Sequence, residues 1–569
     1  MRPRCEDKNQ SFNETPKKIF WPIIALGLLC FNTMASTTYY VSSKDGLDSN
    51  LGTSPTHPWK TIQRVNKSVF SPGDQVLFKS GDSFAGQLVI NASGLAGRPI
   101  SYSSYGNQEL PILDGSAGNR GHPVSTISII DHDYLKISNL KIRNFRKKSL
   151  KGFSNFDAFG ILVQNTGVRD LRGFQFHDLV VEDIFPVRGR NKHKETAFNQ
   201  VTVTGIRFET SRSISRENAV HTRDIFIHNN LIRRTGRFGI AIRHRPSEDI
   251  AARESLKDYD ANFIVKDNRC EDVGGSCVLM SGVKRGLLEG NQFIRSGALV
   301  EPNLSVNRGS GAWFWRSRDI VAQHNVSVSS RGHNDSSGIH VDYNNQNILV
   351  QYNFFYDNEG DGTEILGNNQ NIIWRYNVSV GDGKRRTGIR RPEGGKSRHP
   401  GKTINISPFA VPFPVPSKDI YIYNNTYVIT ANTKPEIRIT GKKVRIWNNL
   451  FVAQKNATLG QKTIFEWCGT PLDMTGNFFV GNVSENFSKL DKRPHFPEIN
   501  FDENFGGPET LAVELRYAVN EKQVVHPLFP YAKRGIFSHI ASIPSVDFFG
   551  NPLESATGLV GAGYKKSAP

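Results

Sequence analysis

Short runs of alternating apolar and polar residues fill the chain from about residue 37 onward, and most end on an asparagine followed by a second short apolar run. The pattern is clear in DIFIHNNLI (Asn230), NFIVKDNRC (Asn268), GLLEGNQFI (Asn291), DIVAQHNVSV (Asn325), NILVQYNFFY (Asn353), NIIWRYNVSV (Asn377), DIYIYNNTYV (Asn425), KVRIWNNLF (Asn449) and PLDMTGNFF (Asn477). YLKISNLKI (Asn139) and FQFHDLVVED (Asp178) are weaker copies. A period of two is that of a β-strand with one buried face. From Asn268 onward the asparagines are 23, 34, 28, 24, 48, 24 and 28 residues apart. A floor near 23 with longer excursions is what stacked coils with inserted loops produce. One pair of short strands cannot bury its own apolar face, so coils must stack. Asparagine at a fixed corner tolerates left-handed backbone angles, and its side chain can bond the asparagine of the next coil. An antiparallel sandwich would need hairpin dipeptides between neighbouring strands, and few are present.

The expected fold class is therefore all-β, a parallel β-helix (solenoid) with inserted loops. Residues 37–569 read as one such domain, with long loops near 185–222 and 381–416 where the repeat is interrupted. Residues 1–36 read as a signal peptide. Lys17 and Lys18 precede an apolar run from Ile19 to Phe31, which is short for a membrane span, and small residues Ala35 and Ser36 follow. The expected location is secreted or periplasmic, with no membrane association after cleavage. Cys270, Cys277 and Cys468 show no paired zinc spacing and read as buried thiols; a Cys270–Cys277 disulfide is the alternative in an exported protein.

Charge narrows the partner. The formal net charge is +18, which favours an anionic partner. No nucleic-acid motif is present, so the expected partner is an acidic polysaccharide and not nucleic acid. A monomer is expected.

The opening TTYYVSSKDGLDSNLGTSPTHPWKTIQRVN, the stretches GDQVLFKSGDSFAGQLVI and GRPISYSSYGNQELPILDGS, the middle from WFWRSRDIVAQHNVSV to DGTEILGNNQNIIWRYNVSVGDG and the tail VDFFGNPLESATGLVGAGY resemble secreted bacterial β-helix proteins of the pectate-lyase-like superfamily. The resemblance covers nearly all of the chain after residue 36. It implies a right-handed parallel β-helix acting on carbohydrate, and it does not choose between hydrolysis and elimination. The polygalacturonase motif set is not visible. Nor are the Lys and Arg catalytic motifs of chondroitinase-B-like lyases, which weakens the lyase reading.

Counting back from each ladder asparagine places candidate chemistry. Five residues back fall Ile320, Ile348, Ile372, Ile420, Val444 and Leu472; twelve back fall Trp313, Val341, Ile365, Ile437 and Phe465. All are apolar and read as inward. Thirteen and eleven back should face outward. There lie His340 and Asp342 in the Asn353 coil, Glu364 in the Asn377 coil, Glu436 and Arg438 in the Asn449 coil, Glu466 in the Asn477 coil and Phe314 in the Asn325 coil. Asp342 and Glu364, one coil and two residues apart, have attachment points roughly 8 Å apart. That suits an acid/base pair for glycoside hydrolysis. The predicted catalytic residues are Asp342 and Glu364, with His340 tuning Glu364 or moving a proton itself.

The predicted substrate-binding residues are Arg243, His333, Glu436 and Arg438, together with Arg385, Arg386, Arg390 and Arg391 of a cationic insertion that can grip sulfate or carboxylate. Phe314, Trp315, Tyr343 and Trp374 are candidate sugar platforms. The leading reading is a glycoside hydrolase that needs no cofactor and cleaves a sulfated or uronate-containing polysaccharide. The alternative is a Ca²⁺-assisted lyase using hard oxygen ligands from Asp335, Asp361 and Glu364. A non-catalytic glycan-binding solenoid is the third.

Overall fold

The alternating runs are strands, and each pairs in parallel with its counterparts one coil before and one coil after it. A computed structural model describes residues 35–118, 121–189, 201–211, 220–244, 259–301, 304–389, 396–408, 414–465 and 472–496. The segment read as a signal peptide lies outside them except for Ala35 and Ser36. Among the described residues the strands build three parallel sheets, of 14, 13 and 12 strands, visited in turn by every coil. The protein is a right-handed parallel β-helix. Its core is a stack of inward rows such as Ile320, Ile348, Ile372, Ile420 and Val444, paired in register in the first sheet and at most 2% exposed.

The asparagine ladder joins coil to coil at the corner between the first and second sheets. Each side-chain amide donates to the carbonyl oxygen of the next, from Asn230 through Asn268, Asn291, Asn325, Asn353, Asn377, Asn425 and Asn449 to Asn477, at 2.8–3.0 Å. Asn477 Nδ2 then donates to Asp491 Oδ2 at 2.6 Å. The left-handed backbone falls one residue earlier than expected. Asn229, Asp267, Gly290, His324, Tyr352, Tyr376, Asn424, Asn448 and Gly476 all have positive φ, and the ladder asparagine follows each. Asn139 and Asp178 occupy that preceding position too, so Leu140 and Leu179 stand in the ladder slot and the ladder starts at Asn230.

Asn353 shows what a rung does. Its Nδ2 donates to Ala322 O, Gln351 O and Asn377 Oδ1, and its Oδ1 accepts from the backbone and side chain of Asn325. Asn353→Ala strands several buried polar groups, each costing about 1–3 kcal/mol. The expected loss is about 2–4 kcal/mol, read as a lower urea midpoint and as faster amide exchange confined to the coils beside residue 353.

Two sequence expectations change. The stretches 185–222 and 381–416 are not continuous loops. Each carries a strand of the third sheet, Thr202–Thr210 and Lys402–Ile406, in register with its neighbours. Both strands lie far ahead of the next ladder corner, so counting from asparagines skips them. Cys270 and Cys277 are joined in a disulfide, with Cα atoms 5.8 Å apart.

Candidate active site

The third sheet supplies the wall that carries the chemistry. Its strands Ala312–Trp315, Ile339–Val341, Thr363–Ile365, Lys402–Ile406 and Glu436–Ile439 are consecutive neighbours. Phe314, Val341, Ile365, Ile406 and Ile439 form one inward row, at most 1% exposed. Alternation along each strand therefore turns Trp313, His340, Glu364, Asn405 and Arg438 outward in a second row. Asp342 sits two residues beyond His340, on the same outer side.

This register corrects the corner count. Trp313 faces out and Phe314 faces the core, the reverse of the expectation. Arg438 shares the row of Glu364, and Glu436 lies two residues behind it, beside Lys402. Phe465 pairs with Ile439 and so continues the inward row as expected, though on the last described strand of the sheet it is 40% exposed; Glu466 lies outside the described residues. Trp374 is fully buried in the core and cannot be a sugar platform. The cause is the connection from the third sheet to the first. It holds two residues after Trp315 and Ile439 but four after Ile365, so a fixed offset from the asparagine drifts.

His340, Asp342 and Glu364 come together on this wall, yet they are only 2%, 5% and 5% exposed, where an open polar face was expected. In the connection ahead of His340, Ser337 Oγ donates to Glu364 Oε2 at 2.6 Å, and Asp335 O accepts from Arg385, which follows residue 381. Arg385, predicted to line a glycan-binding rim, is buried and holds these segments together. Its Nε donates to His399 O and its Nη1 to Asp335 O, both at 2.7 Å. Arg386 is exposed, and Arg390 and Arg391 lie outside the described residues. Half-buried His333 accepts at its carbonyl from Arg398 N at 3.3 Å. Glu436 is tied to Lys462 at 2.8 Å. Arg243 stands farther toward the N-terminal end of the wall, in a row with Ser281 and Trp315.

Around His340 three carboxyl groups differ in environment. The imidazole Nε2 is 3.7 Å from Asp342 Oδ2 and 3.8 Å from Glu364 Oε1. Asp342 Oδ2 accepts from Trp313 Nε1 at 2.9 Å. Burial is the main force on Asp342; with the negative charges of Asp335 and Glu364 it outweighs His340 and Trp313, and the carboxyl is pushed up to about 7. Burial likewise pushes Glu364 well above the usual carboxylate range, helped by Asp361 and Asp335 and opposed by Ser337 Oγ at 2.6 Å from Oε2. Asp335 goes the other way. Burial opposes ionisation there too, but Arg308, His340 and Arg385 together overcome it and hold the carboxyl below its usual range. Arg308 grips both oxygens, at 2.7 and 3.2 Å.

Asp335 was read from the sequence as a cleft residue beside His333 or a metal ligand, not as a charged partner of an arginine, and Arg308 was missed. One signal for Asp335 is local strain. Asp335 and Ser336 are consecutive residues at φ 51° and 75°, a conformation that persists only where surroundings enforce it. Gly360 permits it, because a Cβ there would lie 2.3 Å from Asp335 O. Asn405 was hidden by the excursion before its strand. Asp335, His340 and Glu364 have ligand-type atoms within 4.8 Å of one another and form the grouping that could hold a cation among the described residues. Asp361 is not in it. Its oxygens accept instead from Lys402 N and Asn405 Nδ2, at 2.7 and 2.6 Å. An imidazole in place of a third oxygen donor, with Arg308 already on Asp335, does not suit Ca²⁺.

Among the described residues, the buried polar atoms of this wall without a hydrogen-bond partner include His340 Nε2, Asp342 Oδ1, Thr403 Oγ1, Asn405 Oδ1 and Arg438 Nε.

No protein-family model matches the chain. A lacto-N-biosidase of Bifidobacterium longum subsp. longum is 25% identical over 499 residues, 76% of this chain and 29% of that protein. The chain thus spans under a third of that relative's length. The crystal structure of a GH136 lacto-N-biosidase from Eubacterium ramulus superposes with a TM-score of 0.53 at 21% identity, covering 74% of this chain and 68% of the other. That likeness is one of fold.

Proposed function

We propose that this protein is a glycoside hydrolase, with Asp342 as general acid and Asp335 as the ionised carboxylate that works at the anomeric carbon. One observation carries the reading: a carboxyl pushed up to about 7 and one held ionised by Arg308 both lie beside His340. Hydrolysis needs one protonated and one ionised carboxyl. Asp342 gives its proton to the glycosidic oxygen as the C–O bond breaks. Asp335 assists attack at the anomeric carbon, and water supplies the hydroxyl that ends there. This revises the predicted pair, since Asp342 and Glu364 are both raised and two protonated acids cannot divide the work. Glu364 and His340 then set the local charge around the acid. The similarity to lacto-N-biosidases supports hydrolysis over elimination, and the net charge of +18 supports an acidic glycan as substrate.

The test is incubation of the purified protein with neutral and acidic oligosaccharides, following reducing ends and ultraviolet absorbance together. Hydrolysis releases reducing ends without unsaturated product. A rise in enoyl absorbance identifies a lyase, and binding without turnover identifies a non-catalytic solenoid.

The acid must be protonated to act, so activity falls as pH rises through about 7, the value to which Asp342 is pushed. Trp313 Nε1 hydrogen-bonds Asp342 and lowers that value. Trp313→Phe keeps the ring, removes the donor and shifts the alkaline limb of kcat/KM to higher pH. A purely structural role for Trp313 would lower the rate without moving the limb.

A further inference from the structure

Beyond Glu364 the outward row continues to Asn405 one coil on and Arg438 two coils on. Asn405 is 6% exposed. Its Nδ2 is committed to Asp361 Oδ2 at 2.6 Å, which fixes the amide orientation and leaves Oδ1 buried without a partner. Arg438 is half-buried and its Nε is also buried without a partner. The nearby carboxylates are already taken: Glu436 by Lys462 at 2.8 Å, and Asp361 by Asn405 and Lys402 N. A partly desolvated guanidinium with no counter-ion is costly unless something anionic meets it. An Arg fork matches the planar oxygens of carboxylate or sulfate. Three coil steps put Arg438 roughly 14 Å along the wall from the coil of Asp342, over a sugar beyond the one next to the cleaved bond.

We propose that Arg438 and Asn405 form a subsite for an anionic substituent, carboxylate or sulfate, on a sugar farther along the wall from the cleaved bond. Arg438 pairs with the anionic oxygens and Asn405 Oδ1 accepts from a neighbouring hydroxyl. The term subsite rests on the hydrolase reading; the anion site itself does not.

Binding is measured by calorimetry on the Asp342→Asn protein, with three probes: a uronate-containing oligosaccharide, its carboxyl-reduced counterpart and a sulfated oligosaccharide. Turnover is measured in parallel on the otherwise unaltered protein. An anionic form should bind about 10- to 100-fold tighter than the reduced one, the size of a charge-assisted pair. The preference should shrink as salt is raised. Whichever of uronate and sulfate binds tighter names the substituent. Arg438→Gln should erase the preference by raising KM for the anionic form far more than for the carboxyl-reduced one, and Arg438→Lys should keep part of it. Equal binding of anionic and neutral forms, or an equal loss for both in Arg438→Gln, overturns the proposal. Anion-selective binding without any turnover leaves the anion site standing and removes the hydrolase reading.

Discussion

Asp342→Asn should lower kcat about 10²–10⁴-fold on a natural glycan, the range lost with a general acid, while KM changes little. The amide keeps an oxygen for Trp313 Nε1 to donate to, so the wall keeps its shape and loses only the transferable proton. Aryl glycosides whose phenolate departs unprotonated should be nearly unaffected, and the alkaline limb near pH 7 should vanish with them. The same substitution should stabilise the fold at neutral pH. Asp342 is raised from 3.8 to about 7 on folding. Its contribution to stability is therefore complete below pH 3.8 and lost as pH climbs through 7. An amide has no such loss, so the variant should match the parent near pH 4 and melt higher above pH 7. Full activity on natural glycans in Asp342→Asn would remove Asp342 from the mechanism.

Asp335→Asn should be as damaging to turnover, about 10²–10⁴-fold, but its loss should not depend on the leaving group, because the missing carboxylate acts at carbon. The substitution also leaves the Arg308 guanidinium without its bidentate partner, and an uncompensated buried charge destabilises strongly. The double variant Asp335→Asn/Arg308→Gln separates the two effects. Its melting temperature should recover toward the parent's while its activity stays lost. Near-normal turnover in Asp335→Asn would return the ionised role to Glu364.

The fold was legible because its signal is local and repeated. A period of two ending in asparagine reports each first-sheet strand, and the row Ile320, Ile348, Ile372, Ile420, Val444 follows the count from the corners. The wall was legible only in part. His340, Asp342 and Glu364 lie in the coils where the count holds, and they come together. Trp313 and Arg438 lie where the third-to-first connection differs in length, and each was misplaced. The charge states were not legible. Whether a carboxyl is an acid or a base here depends on Arg308 and on the segments that carry Ser337 and Arg385, and neither leaves a mark in the periodicity. Arg385 shows the same limit: a cation in a basic run reads as a ligand grip, but two backbone carbonyls have claimed it.

The final rung at Asp491 makes the asparagine series polar as well as continuous. Every amide passes a hydrogen to the carbonyl ahead, so the dipoles point one way and reinforce one another. A carboxylate accepts from Asn477 and has nothing to pass on. The column thus has a terminator, while everything upstream is interchangeable: rungs 23 or 48 residues apart make the same bond. Duplicating or deleting an internal turn would leave both ends intact and change the length of the outward wall by about 4.8 Å per turn. In this scaffold the wall can be lengthened or shortened by copying turns without redesigning any bond.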